Sequence, residues 1–354
     1  MFEPETVNAF VGGYEISASG IINVAGSPEL SNLGYSISMP ISLSLNVLAR
    51  ADSVVHWKGT NEVIIPYQIS KTSNEWFDPI KILTNISIQR GWQTPPYVLA
   101  EEDLKFHMGL AYYSAFIDVL IRAFSLVNNV NLGATEIMEL SREVQEITRG
   151  FYIPAETLTR INGSDGSIFI YDEKNRTFRN EPLKLEPYSL VVISGNSLEE
   201  NENYRSFQRN MEKFRRLGMI NQKPSSLSYP FLNFLNHFST EQEMVENIMD
   251  ALLKDNTDRF ISGWSKYSQS IGYNLGVISN FQKTVASLLE KYSISNYVFA
   301  VSEYSGSVIA LADSPVRAKI SENLVRDYFG LTNGTLNITE VQNRNDTKME
   351  RIIL

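Results

Sequence analysis

A mixed α+β fold in two lobes is predicted by three features of the sequence. Residues 35–49 alternate with few breaks: Ile37, Met39, Ile41, Leu43, Leu45 and Val47 on one side, Ser36, Ser38, Pro40, Ser42, Ser44 and Asn46 on the other. That period of two describes a half-buried strand. Residues 106–127 instead place Phe116, Leu120, Phe124 and Val127 at three- and four-residue steps, the spacing of one buried helix face, with Asp118 and Arg122 set for an i,i+4 pair. The third feature is length: 354 residues allow one large domain or two that share an interface, and two lobes are the safer expectation.

Taken in order, residues 11–28 read as short strands broken by Gly12, Gly13, Gly20 and Gly26, since glycine interrupts pairing. After the long strand, 53–57 and 62–65 read as a hairpin turning at Lys58-Gly59-Thr60-Asn61. Residues 76–88 fit either a helix or a strand. A polar lead, 101–105, precedes the central helix, which ends near Asn128-Asn129. A second helix is predicted over 135–148, with Ile137, Leu140, Val144 and Ile147 inward and Gly150 as its stop. Pro154 opens a short helix, and strands are expected at 168–171 and 190–193. A helix over 204–217 leads to the Ser- and Pro-rich loop 223–230, a plausible lobe boundary. Helices follow at 241–253, 258–270 and 280–292, strands at 297–301 and 307–312, a last helix at 316–328, and a polar tail from 332.

Composition narrows the classes. A hydrophobic fraction of 43% with 20% charged residues is that of a soluble globular chain, and no apolar run approaches the ~18 residues that span a bilayer. The start, M-F-E-P-E-T, lacks the basic and apolar regions of a signal peptide, so the expected location is cytoplasmic. The Asn-x-Ser/Thr triplets at Asn85, Asn162, Asn175, Asn333, Asn337 and Asn345 then carry no glycosylation. Zero cysteines exclude disulfides and thiolate chemistry, and His56, His107 and His237 are too scattered for a metal cage. A net charge of −9 argues against nucleic acid as a partner. An anionic small molecule remains compatible, because a few local cations hold one phosphate whatever the overall sign.

The lead into the central helix has a second reading. With Gly109 in the first turn, the N–H groups from Leu110 to Tyr113 are free to meet an anion, and the helix dipole adds positive charge there. The plainer alternative is a buried helix that follows a turn. For Glu156, beside Pro154, the alternatives are a reactive carboxylate and a solvated helix-start acid favoured by the dipole. Trp57 and Trp92 read as core residues first and as stacking surfaces for a base second.

Several segments, in their order, resemble the GHMP small-molecule kinases, with a galactokinase-like sequence of motifs. Ala18-Ser19-Gly20-Ile21-Ile22-Asn23-Val24-Ala25-Gly26, then Leu33-Gly34-Tyr35 and Met39-Pro40-Ile41, are similar to that family's opening motif. Gly109-Leu110-Ala111-Tyr112-Tyr113-Ser114-Ala115 is similar to its phosphate loop, G-L-G-S-S-A-A. Glu156 stands seven residues before Gly163, the offset of the family's catalytic Asp; Ser194-Gly195 with Tyr204-Arg205, and residues 299–311, fall where later segments are expected. The likeness covers about residues 12–328. It departs at Ile21 and Ser27-Pro28, where sugar-recognising residues are missing, and at Tyr112 and Tyr113, which replace two serines. Gln145, flanked by Glu143 and Glu146, takes the place of the family's helix-borne metal ligand, and only Gly306 remains of its third motif.

The resemblance implies a two-lobed GHMP-kinase-like fold, with a mixed α/β nucleotide-binding lobe over 1–185 and a ferredoxin-like α+β lobe over 186–354. It implies ATP and Mg2+ as cofactors and an ATP-dependent transfer to a hydroxyl of a small anionic metabolite. Mevalonate 3-phosphate, phosphorylated on its 5-hydroxyl, is the acceptor it favours; a sugar kinase and a noncatalytic binding module are the alternatives. Glu156 is then the catalytic residue, and Gly109, Leu110, Ala111, Tyr112, Tyr113 and Ser114 hold the nucleotide. Gly20, Asn23 and Arg160 meet the substrate, and Ser114 and Glu146 meet the metal. The expected partners are the substrate and ATP, without nucleic acid or membrane, and a homodimer is allowed.

Overall fold

The computed structural model describes residues 2–26, 34–73, 75–195, 199–219, 227–313 and 323–353. After a short helix α1 (Pro4–Asn8), the first lobe is built on β1 (Tyr14–Ala25) and β2 (Tyr35–Ala51), antiparallel from Tyr14 opposite Ala49 to Ala25 opposite Ile37. Residues 11–28, expected as several short strands, hold one continuous strand of 12 residues. Gly20 lies inside it at a register shift, where a Cβ would stand 3.0 Å from Leu104 Cδ1 and 3.2 Å from the Leu43 carbonyl. Close packing, not a turn, is what this glycine serves.

The alternation in β2 is present, but both of its faces are covered. Ser36, Ser38 and Ser44 are buried as fully as Ile37 and Met39. A serine face survives burial because each hydroxyl finds a partner: Ser38 meets Thr159 Oγ1 at 2.6 Å, and Ser36 donates to the Gly26 carbonyl at 2.9 Å.

Strands β3 (Val55–Lys58) and β4 (Glu62–Ile65) form the predicted hairpin, and the ambiguous segment becomes helix α2 (Asp78–Gln89). The segment expected as a polar lead belongs partly to β5 (Pro96–Glu102), which pairs with β2 antiparallel and β3 parallel. Helices α3 (Tyr112–Val127), α4 (Ala134–Arg149) and α5 (Pro154–Asn162) follow, then the hairpin β6 (Ser167–Asp172) and β7 (Thr177–Pro182). On α4, Ile137, Leu140 and Val144 are buried, but Ile147 is 55% exposed, because the stripe has rotated off the core by the last turn.

The second lobe runs through β8 (Ser189–Gly195), α6 (Glu202–Arg216), α7 (Phe231–Leu253), α8 (Thr257–Asn274), α9 (Asn280–Lys291), β9 (Tyr297–Ala300), β10 (Ser307–Ala312), α10 (Val325–Thr332) and β11 (Leu336–Val341). Its sheet is wholly antiparallel in the order β11-β8-β10-β9, which is the ferredoxin-like β-α-β-β-α-β plan with extra helices after β8. The tail contains not only β11 but β12 (Lys348–Arg351), which returns to the first lobe and pairs with β1. The first half of the predicted boundary loop, 223–226, lies outside the described residues, as do Ser27-Pro28, Leu33 and most of the last predicted helix, at 316–322. Among the described residues no helix is long and apolar enough to cross a membrane.

Candidate functional site

Between the lobes is a cavity of about 330 Å³. Its walls are the end of β1, the start of α3, the first turn of α5, the segment after β9 and one face of α8. The approach to α3 differs from expectation. Residues Phe106–Met108 form one 3-10 turn, Gly109 and Ala111 both adopt left-handed conformations at φ 71° and 59°, and the helix begins only at Tyr112. At Gly109 a Cβ would come within 2.5 Å of the Ala300 carbonyl and 2.7 Å of that of Val301, so only glycine lets the two lobes meet there. The same seam is closed by the Gly306 N–H donating to the His107 carbonyl at 2.9 Å.

The residues of this loop divide. Gly109, Ala111, Tyr112 and Tyr113 line the cavity, and helix geometry leaves the first-turn N–H groups without intrahelical partners. Leu110 is fully buried in the core, its carbonyl accepting from the Ile21 N–H at 3.0 Å, so it offers a ligand no side chain. The Tyr112 ring is packed between Phe106, at 5.5 Å, and Phe116, at 6.2 Å; burial, with Glu102 nearby, pushes its hydroxyl well above the usual tyrosine range. Burial pushes the Tyr113 hydroxyl up to about 12. The Arg149 guanidinium lies 4.9 Å over the Tyr113 ring and reaches Glu303 at 3.4 Å. Both phenols therefore stay protonated, each keeping an O–H donor, and both residues form part of the cavity wall.

Glu156 is not a solvated helix-start acid. Pro154 sets the first turn of α5, and that turn aims the carboxylate at the cavity, where it is 5% exposed. One oxygen accepts from Ser114 Oγ at 2.5 Å and the other from Asn23 Nδ2 at 3.2 Å. Asn23 also lines the cavity, so the expectation for it and for Glu156 converges on one spot.

Three other expectations are corrected. Arg160 is 2% exposed and its donors are spent inside the protein: on the Ser19 carbonyl at 2.7 Å, Asp118 Oδ2 at 2.9 Å, the Ala111 carbonyl at 2.8 Å and Ser114 Oγ. It braces the loop before α3 and does not face a substrate, and it takes the partner that Arg122 was expected to have. Gly20 is enclosed within β1 and β2. The proposed metal pair does not assemble: Ser114 is fully buried with its hydroxyl on Glu156 and the Ala111 carbonyl, whereas Glu146 is on the exposed face of α4. Neighbouring Gln145 is fully buried, its Nε2 on Ser141 and its Oε1 without a partner, and no group of three potential metal ligands occurs among the described residues.

Trp57 is core, edge-on to Phe116 at 4.8 Å, and Trp92 lies under Arg90; neither reaches the cavity. Trp76 does, together with Tyr304. Nothing in the periodicity of their segments marks them, because the fold brings them together from distant parts of the chain. Among the described lining residues the carboxylates are Glu75, Asp78, Glu156 and Glu303, and Arg149 is the basic one.

The strand orders, the two lobes and the cavity between them define the class: the chain has the fold of the GHMP small-molecule kinases. Galactokinase from Lactococcus lactis, solved with galactose, is similar over 98% of both chains at a TM-score of 0.78 and 15% identity. Mevalonate kinase from Methanococcus jannaschii is similar over 93% of this chain and 97% of its own, at 0.63 and 13%. Mevalonate diphosphate decarboxylase from Staphylococcus aureus is similar over 96% and 97%, at 0.60 and 12%. Neither a protein-family sequence model nor a curated protein sequence matches the chain. A decarboxylase among the neighbours illustrates that this fold alone does not set the reaction.

Proposed function

We propose that this chain is an ATP-dependent phosphotransferase acting on a hydroxyl of a small metabolite. The observation that carries the reading is Glu156: a carboxylate nearly sealed from solvent, held by Asn23 and Ser114, beside the first turn of α3. Phosphoryl transfer asks a protein chiefly for positioning and charge stabilisation. The first-turn amides of α3 suit a phosphate chain, since they belong to residues that line the cavity and need no particular side chains. Bound ATP would supply the phosphoryl group. Glu156 accepts the proton of the acceptor hydroxyl, and its two hydrogen-bond donors keep its oxygens aligned for that task. The residues expected to hold Mg2+ do not form a site, so no step is assigned to a protein-held metal.

Two acceptors divide the possibilities. Mevalonate 3-phosphate comes first on the sequence resemblance and finds Arg149 as its cation on the described wall. A neutral sugar needs no cation, and a wall rich in carboxylates suits hydroxyl donors.

Melting with and without ATP tests the nucleotide: ligand at ~100 times its dissociation constant adds roughly 2.7 kcal/mol. Labelled ATP with mevalonate 3-phosphate, mevalonate and galactose tests the acceptor. Glu156→Gln is expected to lower turnover about 10²- to 10⁴-fold while the ATP-induced melting shift persists. Unchanged turnover removes Glu156 from the chemistry, and no shift with ATP leaves only a binding module.

A further inference from the structure

One buried polar chain in the second lobe ends at the site. On α7, His237 and Glu241 are 0% and 1% exposed, with His237 Nε2 3.8 Å from Glu241 Oε1 and His237 Nδ1 3.0 Å from Ser270 Oγ. On α8, the Tyr267 hydroxyl donates to Glu241 Oε1 at 3.1 Å and accepts from the Gly26 N–H at 3.0 Å, while its ring forms part of the cavity wall. Gly26 ends β1. Its φ of 74° and the 2.0 Å approach that a Cβ would make to the Tyr35 carbonyl allow only glycine there. Its own carbonyl is held by Ser36 Oγ at 2.9 Å. Three residues upstream, on β1 itself, Asn23 holds Glu156.

We infer that Tyr267 is a positioning residue: from the second lobe it fixes the end of β1, and through that strand the Asn23–Glu156 pair. Buried polar groups have directional needs that apolar packing lacks, so one hydroxyl engaged on both sides sets a strand's position more sharply than side-chain contact alone. The lobes must then be docked for the carboxylate to be aligned. The kinetic part of this inference rests on the phosphotransferase reading; the structural part does not.

The experiment compares the full chain with Tyr267→Phe, which keeps the ring, and with Glu241→Gln, which keeps an acceptor oxygen. The first readout is the NMR signals of the Asn23 side-chain amide, with Asn128, whose Nδ2 donates to the Thr94 carbonyl at 2.8 Å, as internal control. Tyr267→Phe should move the Asn23 signals and speed exchange of the Gly26 amide while those of Asn128 stay. Glu241→Gln should hold both near their original positions. The second readout is turnover, expected to fall about tenfold in Tyr267→Phe with the KM for ATP unchanged, since small misplacements at a reacting group cost rate rather than binding. Asn23 signals unmoved in Tyr267→Phe overturn the inference, as does a variant that only melts earlier with turnover intact. If the unmodified chain transfers no phosphate, the phosphotransferase reading fails, and the Asn23 and Gly26 signals alone decide the tie.

Discussion

Arg160 and Glu156 stand one helical turn apart on α5 and have opposite fates. Glu156 reaches the cavity; Arg160 turns inward and meets Asp118 at 2.9 Å with both side chains almost wholly buried. The two share the face of α5 turned to α3, where both meet Ser114, and sequence spacing does not say which of them also reaches the cavity. Removing one partner of a buried pair leaves the other charge without compensation, which typically costs about 3–5 kcal/mol. Arg160→Met is therefore expected to lower the urea midpoint strongly, and the paired change Arg160→Met with Asp118→Leu to recover part of the loss. A single variant as stable as the parent would show that Asp118 is satisfied without Arg160.

At the scale of elements, α9 and α10 are fastened by one carboxylate. Asp327 accepts from Lys291 at 2.7 Å, from Arg326 Nε at 3.1 Å and from the Tyr292 hydroxyl. Those hydrogen bonds, Lys291 first, hold its pKa well below the ordinary carboxylate value of 3.8. Folding thus weakens proton binding at Asp327. Its contribution to stability is complete above the unfolded value and is lost as pH falls below it. Asp327→Asn should melt earlier than the parent at neutral pH, with the gap narrowing on acidification and, because the cations are largely exposed, on adding salt. A gap independent of pH from neutrality to pH ~3 would contradict this. The α3 segment teaches a related lesson. Its apolar stripe is readable, but its start lies at Tyr112 rather than Gly109, because Gly109 and Ala111 take left-handed conformations that a helix does not contain, and the second-lobe carbonyls leave no room for a side chain at Gly109.

In the whole molecule the C-terminal tail closes the chain on itself. β12 pairs with β1, Thr347 Oγ1 accepts from the Ser19 N–H at 3.1 Å, and the Asn345 amide donates to the carbonyls of Arg160 and Gly163 at 3.0 and 2.9 Å. The tail therefore caps the end of α5, the helix that carries Glu156. Deleting residues 343–354 should lower the melting temperature and raise amide exchange in α5 and β1 more than in the second-lobe sheet. Uniform exchange changes, or none, would show that the tail is not part of the first lobe's support.

The amino-acid order by itself determined the α+β class, the long alternating strand, the helix stripes and the placing of Gly109, Asn23 and Glu156 in motif-like segments, because local period and backbone chemistry are properties of neighbours along the chain. Tertiary structure decided the rest. It buried the serine face of β2, made a brace of Arg160, left Glu146 in solvent and drew Trp76, Arg149, Glu303 and Tyr267 to one cavity. Each of those outcomes depends on which surfaces meet across the two lobes, and a polar side chain's role is set by the partner it finds there.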